Sequence, residues 1–267
     1  MNVLKTTVAS LTVAALMLPA WATTAQEQGF AIAERNDQSD AGFGTSSVEL
    51  TMTLADPSGR TTTRALRIDT REKEGEGNGD RSVTVFYSPR DVEGTALLTH
   101  SKVLDSDDQW LYLPALRRTK RISSSNKSGP FVGSEFAFED IAGAELGKYD
   151  YTYIETVSRE IGGQSLELDK VECIPAYERS GYSKIHCYFD TDVFQARKFE
   201  FFDRGGQHLK TLILDDYRLY DDAFWRPHVQ TMTNHITGKT TVLEFDDYTF
   251  GVDLDGRDFE PDALERL

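Results

Sequence analysis

Two cysteines and five histidines in 267 residues leave little material for redox or metal chemistry. His100, His186, His208, His228 and His235 fall on different predicted strands and never form H-E-x-x-H, so no metal site is expected. There is no G-x-S-x-G and no C-x-x-C, which removes the common hydrolase elbow and the dithiol redox motif. Asp253-Leu254-Asp255-Gly256 places its Gly fourth where a calcium loop needs it sixth, and Gly75, Gly77 and Gly79 lack the Gly-Lys-Ser/Thr ending of a phosphate loop. No catalytic residue and no cofactor are therefore expected. Basic residues are also scarce, 29 against 44 acidic, for a net charge of −15. Such a surface repels nucleic acid and anionic bilayers, so any lipid contact has to come from a local basic or apolar patch. The apolar run Val8 to Leu18 is too short to span a bilayer, and no later stretch approaches the ~18 residues that a span requires.

That run has another use. Lys5 ahead of it, Pro19 after it and the small residues beyond read as a signal peptide over residues 1–22, with cleavage after Ala22 or Ala25. No cysteine lies near either site, so no lipid anchor is expected, and residues 23–267 are expected to be free in the periplasm. No linker divides them, and a single large domain is predicted.

Alternation with period two dominates this domain. Val48, Leu50, Met52 and Leu54 point one way, and Glu49, Thr51 and Thr53 the other, which is a half-buried antiparallel strand. Asp56-Pro57-Ser58-Gly59 turns it into a partner over 60–69. Further strands are read at 81–88, 95–104, 109–114, 149–158, 164–173, 183–190, 194–203, 207–217, 225–234 and 240–250, with short turns such as Arg204-Gly205-Gly206 between them. Helical patterns are confined to 26–40 and 132–146. The fold class is mainly β (α+β), a large curved antiparallel sheet in a meander. Several strands are apolar on both faces, Leu212 and Leu214 opposing Leu209 and Ile213, and Phe199 and Phe201 opposing Phe194 and Phe202. A second apolar face needs a cover, either helices or a ligand. Cys173 and Cys187 flank the turn Glu178-Arg179-Ser180-Gly181, and their numbers average to 180, which places them opposite one another in a hairpin. In an oxidising compartment this predicts a disulfide, contributing about 3 kcal/mol in the chain-entropy model.

The densest information lies in the middle. The apolar strand Gln109-Trp110-Leu111-Tyr112-Leu113-Pro114 runs directly into Arg117, Arg118, Lys120 and Arg121, and the segment Gly129 to Asp140 follows with Phe131, Phe136 and Phe138. That order suits the rim of an apolar cavity. The expected ligand-binding residues are accordingly Trp110, Tyr112, Leu113, Arg117, Arg118, Arg121, Phe131, Phe136 and Phe138. The cations suit an anionic headgroup or an acidic partner surface, and equally the protection of a sheet edge. Tyr149, Tyr151 and Tyr153 share one strand face and suit either the mouth of a lipid cavity or ordinary cross-strand packing.

W-L-Y-L-P-A-L-R-R-x-x-R-I followed by G-P-F-V-G-S-E-F-x-F-E-D-I resembles the LolA-like outer membrane lipoprotein-sorting protein family. The resemblance runs from about Gly42 to the C-terminus and includes Met52-Thr53-Leu54, Asp91 to Leu98 and Asp258-Phe259-Glu260-Pro261. It implies an unclosed half-barrel with a few covering helices, and a lipid or lipoprotein cargo held between them. It also implies an inner-membrane partner of the RND/MMPL exporter type and an outer-membrane acceptor. Two rival functions stay open. A lipid-processing hydrolase would use Glu135 and Glu139, which share a face if 132–146 is helical, together with Asp140. A periplasmic adaptor of an exporter would hold no lipid at all.

Overall fold

The computed structural model describes residues 23–72, 78–143 and 145–266. The expected signal peptide and the centre of the glycine-rich loop lie outside them. Helix α1 (Ala25–Asp40) starts where Thr24 and Glu27 form a reciprocal cap, and it buries Gly29, Ile32 and Ala33 on one side. Strands β1 (Thr45–Ala55), β2 (Thr61–Arg71), β3 (Asn78–Ser88), β4 (Ala96–Lys102), β5 (Asp108–Leu113) and β6 (Arg118–Arg121) make a first antiparallel meander. A second consists of β7 (Tyr149–Ile161), β8 (Gln164–Pro175), β9 (Tyr182–Asp190), β10 (Ala196–Asp203), β11 (His208–Tyr220), β12 (Phe224–Asn234) and β13 (Thr240–Phe245).

The two meanders form one sheet because β1 pairs with β13, Met52 opposite Leu243. The short β14 (Thr249–Phe250) adds to the start of β1. One continuous meander is therefore not what forms. Turn lengths report only sequence neighbours, whereas β1 and β13 are matched by the apolar face that Leu50, Met52 and Leu243 share, across nearly the whole chain. The outer strands are β6 and β7, and they do not pair with each other, so the sheet stays unclosed.

This topology decides the role of residues 122–148. They join one outer strand to the other and lie over the inner face, where Phe131, Phe136 and Phe138 enter the same core as Leu50, Phe86, Val171 and Leu212. The helix expected over 132–146 is broken into a turn at Phe131–Gly133, the single-turn helix α2 (Phe138–Ile141) and a turn at Leu146–Lys148. Its backbone bonds go elsewhere. Phe131 N–H donates to Phe136 O at 2.7 Å, Glu135 N–H to Thr241 Oγ1 at 3.0 Å and Ala137 N–H to the Asp140 carboxylate at 2.6 Å. At the far end, Lys148 pairs with Asp107 at 2.5 Å, both buried, and so ties the start of β7 to the turn before β5.

The outer face is also covered in part. Val83, Val85, Ala96 and Leu98 pack under Phe259 and Leu264 of the C-terminal segment. Ile161, Leu168 and Tyr188 form a third cluster on the second meander.

Candidate ligand cavity

Alternation along β7 to β11 turns inner-face side chains of each strand into a cavity of about 260 Å³ between the inner sheet face, α1 and α2. Tyr149 and Tyr151 come from β7, Ile185, Cys187 and Phe189 from β9, Phe199 and Phe201 from β10, and Leu212 and Leu214 from β11. Ala33, Asn36 and Asp37 of α1 complete one wall. A second, more polar cavity of about 280 Å³ adjoins it through Asn36, Asp37, Phe199 and Leu214, and is lined further by Asp40, Glu72, Tyr217 and Arg226. An apolar chamber thus meets a charged vestibule.

Helix α1 approaches β7 so closely that only glycine fits at position 29, where a Cβ would lie 2.6 Å from the Tyr153 amide nitrogen. Phe30 then meets the Tyr151 ring edge-on at 6.1 Å. The far end of α1 is held by Asn36, which donates to Phe194 O at 2.9 Å, and by an ion pair from Asp40 to Arg226. Burial raises the Asp40 carboxyl above its ordinary range, against the pull of Arg226.

The other wall is polar and well bonded. Asp140 accepts from Lys210 Nζ at 2.5 Å and Tyr182 Oη at 2.7 Å. Its neighbour Glu139 accepts from Gly181 N–H at 2.9 Å, Ser180 Oγ at 3.0 Å and Tyr177 Oη at 3.1 Å. Burial, reinforced by Asp140 alongside, raises the Glu139 carboxyl above its usual value. These two carboxylates act as struts that fasten α2 to β9 and β11. Glu135 does not share a helix face with Glu139. It lies in the extended stretch before α2 and accepts from Asn234 Nδ2 at 2.7 Å.

None of the nine residues expected at the cavity rim lines this chamber. Phe131, Phe136 and Phe138 are core residues, Phe131 packing on Phe86 and Phe138 at ring distances of 5.7 Å. They fill the space above the first meander that a ligand would otherwise occupy. Leu111 takes the inner face of β5, so alternation turns Trp110 and Tyr112 outward, under Phe259 and Leu264. Leu113 ends the strand half-buried, opposite Arg118. Arg117, Arg118 and Arg121 are exposed at the free edge, Arg121 in an ion pair with Asp108 and over the Trp110 ring at 6.0 Å. The residues that do line the chamber had a visible signal: the apolar pairs 199/201 and 212/214 and the tyrosine stripe, of which Tyr149 and Tyr151 face inward.

Cys173 and Cys187 are not directly opposed. Cys173 faces Ile185 and Val171 faces Cys187, because the hairpin is centred one residue earlier than the sequence midpoint. As diagonal neighbours on the inner face, their Sγ atoms are 2.7 Å apart, and both are free thiols here. Burial, with Cys173 beside it, pushes the Cys187 thiol well up. On the outer face the rings of His208 and His235 lie tilted to one another at 4.4 Å with Thr211 bonded to both, but no group of three or more metal-type donors occurs among the described residues.

An unclosed antiparallel sheet bridged by a crossing segment and a flanking helix is the LolA-like architecture. A candidate outer membrane lipoprotein-sorting protein domain from Vibrio parahaemolyticus is 43% identical, with a TM-score of 0.84 over 90% of this chain and 100% of that one. A DUF1329 family protein from Desulfovibrio piger is 26% identical, with a TM-score of 0.83 over 91% and 100%. A LolA superfamily protein from Nitrosomonas europaea, 21% identical with a TM-score of 0.68 over 90% and 99%, shares the fold. The model of a family described only as an uncharacterized protein matches residues 78–266. The chain belongs to this DUF1329 family of LolA-like proteins. No curated protein matches it.

Proposed function

We propose that this protein is a periplasmic carrier that holds the acyl chain of a lipid or lipidated cargo in the chamber between β7–β11, α1 and α2. In this reading it collects cargo from an inner-membrane exporter of the RND/MMPL type and delivers it towards the outer membrane. The observation that carries the reading is the chamber itself: a largely apolar space of about 260 Å³, walled mainly by aromatic and leucine side chains. Ligand sites usually measure ~300–1,000 Å³, so this one is on the scale of a single chain rather than of several. Burial of a methylene contributes about 0.8 kcal/mol, which makes one long chain sufficient for tight holding even after ordering costs. The thiol pair in the chamber wall is proposed to close into a disulfide in that compartment. Residues 1–22 are proposed as the leader that takes the chain there.

The test is native mass spectrometry of the protein purified from its own periplasm. A carrier retains an apolar ligand, and its mass names the cargo. Leu214→Trp, which fills the chamber from β11, should lower ligand occupancy severalfold while the fold is kept. Ligand-free wild-type protein, together with no binding of a fluorescent fatty-acyl probe, would sink the carrier reading and leave that of an adaptor.

A further inference from the structure

At the end of β5 the chain makes a single turn, Pro114–Leu116, which Arg117 closes in the left-handed region at φ 44°. Pro114 rests on Gly94, where a Cβ would come within 3.1 Å of its ring, so the tip is held rather than loose. Leu116 is 68% exposed at its point. Arg117, Arg118 and Lys120 follow it, all exposed and without an ion-pair partner among the described residues, in a chain with 44 acidic side chains. Of this cluster only Arg121 is neutralised, by Asp108.

Edge protection accounts for the charges on β6 but not for Leu116. A sheet edge is defended by charge and shortness, and β6 is four residues long. The leucine precedes that edge and adds apolar surface to it, the opposite of protection. A strand of four residues also offers too short a ladder for an extended peptide to add to firmly. An apolar point flanked by unpaired cations is the arrangement that enters a bilayer interface. The chain as a whole is strongly negative, so a cluster of unpaired cations is suited to lead the approach to an anionic membrane.

We propose that the β5–β6 tip is a membrane-docking element that places Leu116 at the acyl boundary of an anionic phospholipid bilayer, with Arg117, Arg118 and Lys120 against its phosphates. The proposal is independent of what the chamber holds. Each cation near an anionic surface is worth roughly fivefold in binding. Arg117→Gln/Arg118→Gln should then bind about 25-fold more weakly, being two such factors. Leu116→Asp should cost roughly tenfold through the lost apolar contact.

The experiment is co-sedimentation of the mature protein with vesicles of phosphatidylcholine containing phosphatidylglycerol, and with pure phosphatidylcholine, at low and high salt. The expected result is salt-sensitive binding to the anionic vesicles, weakened by both variants while circular dichroism is unchanged. Equal binding to both vesicles, or binding that falls with the arginines but ignores Leu116→Asp, overturns the proposal and returns the cluster to edge protection. No vesicle binding, with binding to poly-glutamate that Arg117→Gln/Arg118→Gln abolishes, also overturns it and assigns the tip to an acidic protein partner.

Discussion

Asp140→Asn tests whether the crossing segment is fastened over the sheet by its buried ion pair. The Asp140 and Lys210 side chains are 3% and 5% exposed, so solvent screens the pair very little. Without the carboxylate, the Lys210 ammonium has no counter-charge and keeps only neutral partners, among them Glu135 O at 3.0 Å and the rings of Tyr182 and Phe201 at 5.3 and 5.2 Å. Breaking a buried pair from one side costs about 3–5 kcal/mol, chiefly the cost of the charge left behind. For a domain of this size each kcal/mol moves Tm by roughly 2–4 °C, so the expected fall is about 6–20 °C. Asp140→Asn/Lys210→Met removes both charges and should recover most of the loss. A remainder of about 1 kcal/mol is expected, because the asparagine oxygen replaces two carboxylate oxygens as acceptor for the Tyr182 hydroxyl and the Ala137 N–H. Urea unfolding of the wild type, both single variants and the double variant gives the coupling energy directly. If Asp140→Asn stays within about 0.5 kcal/mol of wild type, or the double variant is no better than the singles, the pair is not what holds the segment.

The strand pattern was legible because period-two alternation is strong in this chain: twelve of the fourteen described strands lie where it places them, among them those in which Leu50, Leu97, Phe201 and Leu212 mark a buried face. Two strands were not. β6 consists of Arg118-Thr119-Lys120-Arg121, which has no apolar residue and forms only because β5 offers its free edge. β14 is two residues long. The pairing of β1 with β13 was equally hidden, since nothing local distinguishes two strands that meet across the sheet from two that do not.

The nine residues expected at a cavity rim do not gather around one chamber, for a related reason. The strand Trp110 to Leu113, the cations and the phenylalanine segment are adjacent in sequence, and adjacency was read as a shared cavity. Alternation separates Leu111 from Trp110 and Tyr112 onto opposite faces, and the crossing of residues 122–148 carries the phenylalanines into the core. The chamber wall is instead assembled from six strands that each contribute one to four residues. Such a site leaves only a faint trace in each strand, a face too apolar for a one-sided sheet.

Two further outcomes follow from buried groups of the chamber wall. Mass analysis of freshly isolated periplasmic protein should show two hydrogens gained on reduction, as Cys173 and Cys187 open; free thiols on both would remove the disulfide from the scaffold. Glu139→Gln should change the dependence of stability on pH. Burial and the Asp140 carboxylate raise the Glu139 carboxyl above its ordinary value of 4.5, against the donors Gly181, Ser180 and Tyr177. The folded chain therefore holds this proton more tightly than the unfolded chain. As pH rises from 4.5 towards the raised folded value, the unfolded state is the first to release it, and stability falls across that interval and is level beyond it. Glutamine cannot ionise, and the hydroxyls of Ser180 and Tyr177 can turn to accept from its amide. The stability difference between Glu139→Gln and wild type should therefore shift in favour of the variant across that interval and then hold steady. Urea unfolding at a series of pH values from about 4 to about 7 reads this difference, and parallel profiles for the two proteins would mean that Glu139 meets the same environment folded and unfolded.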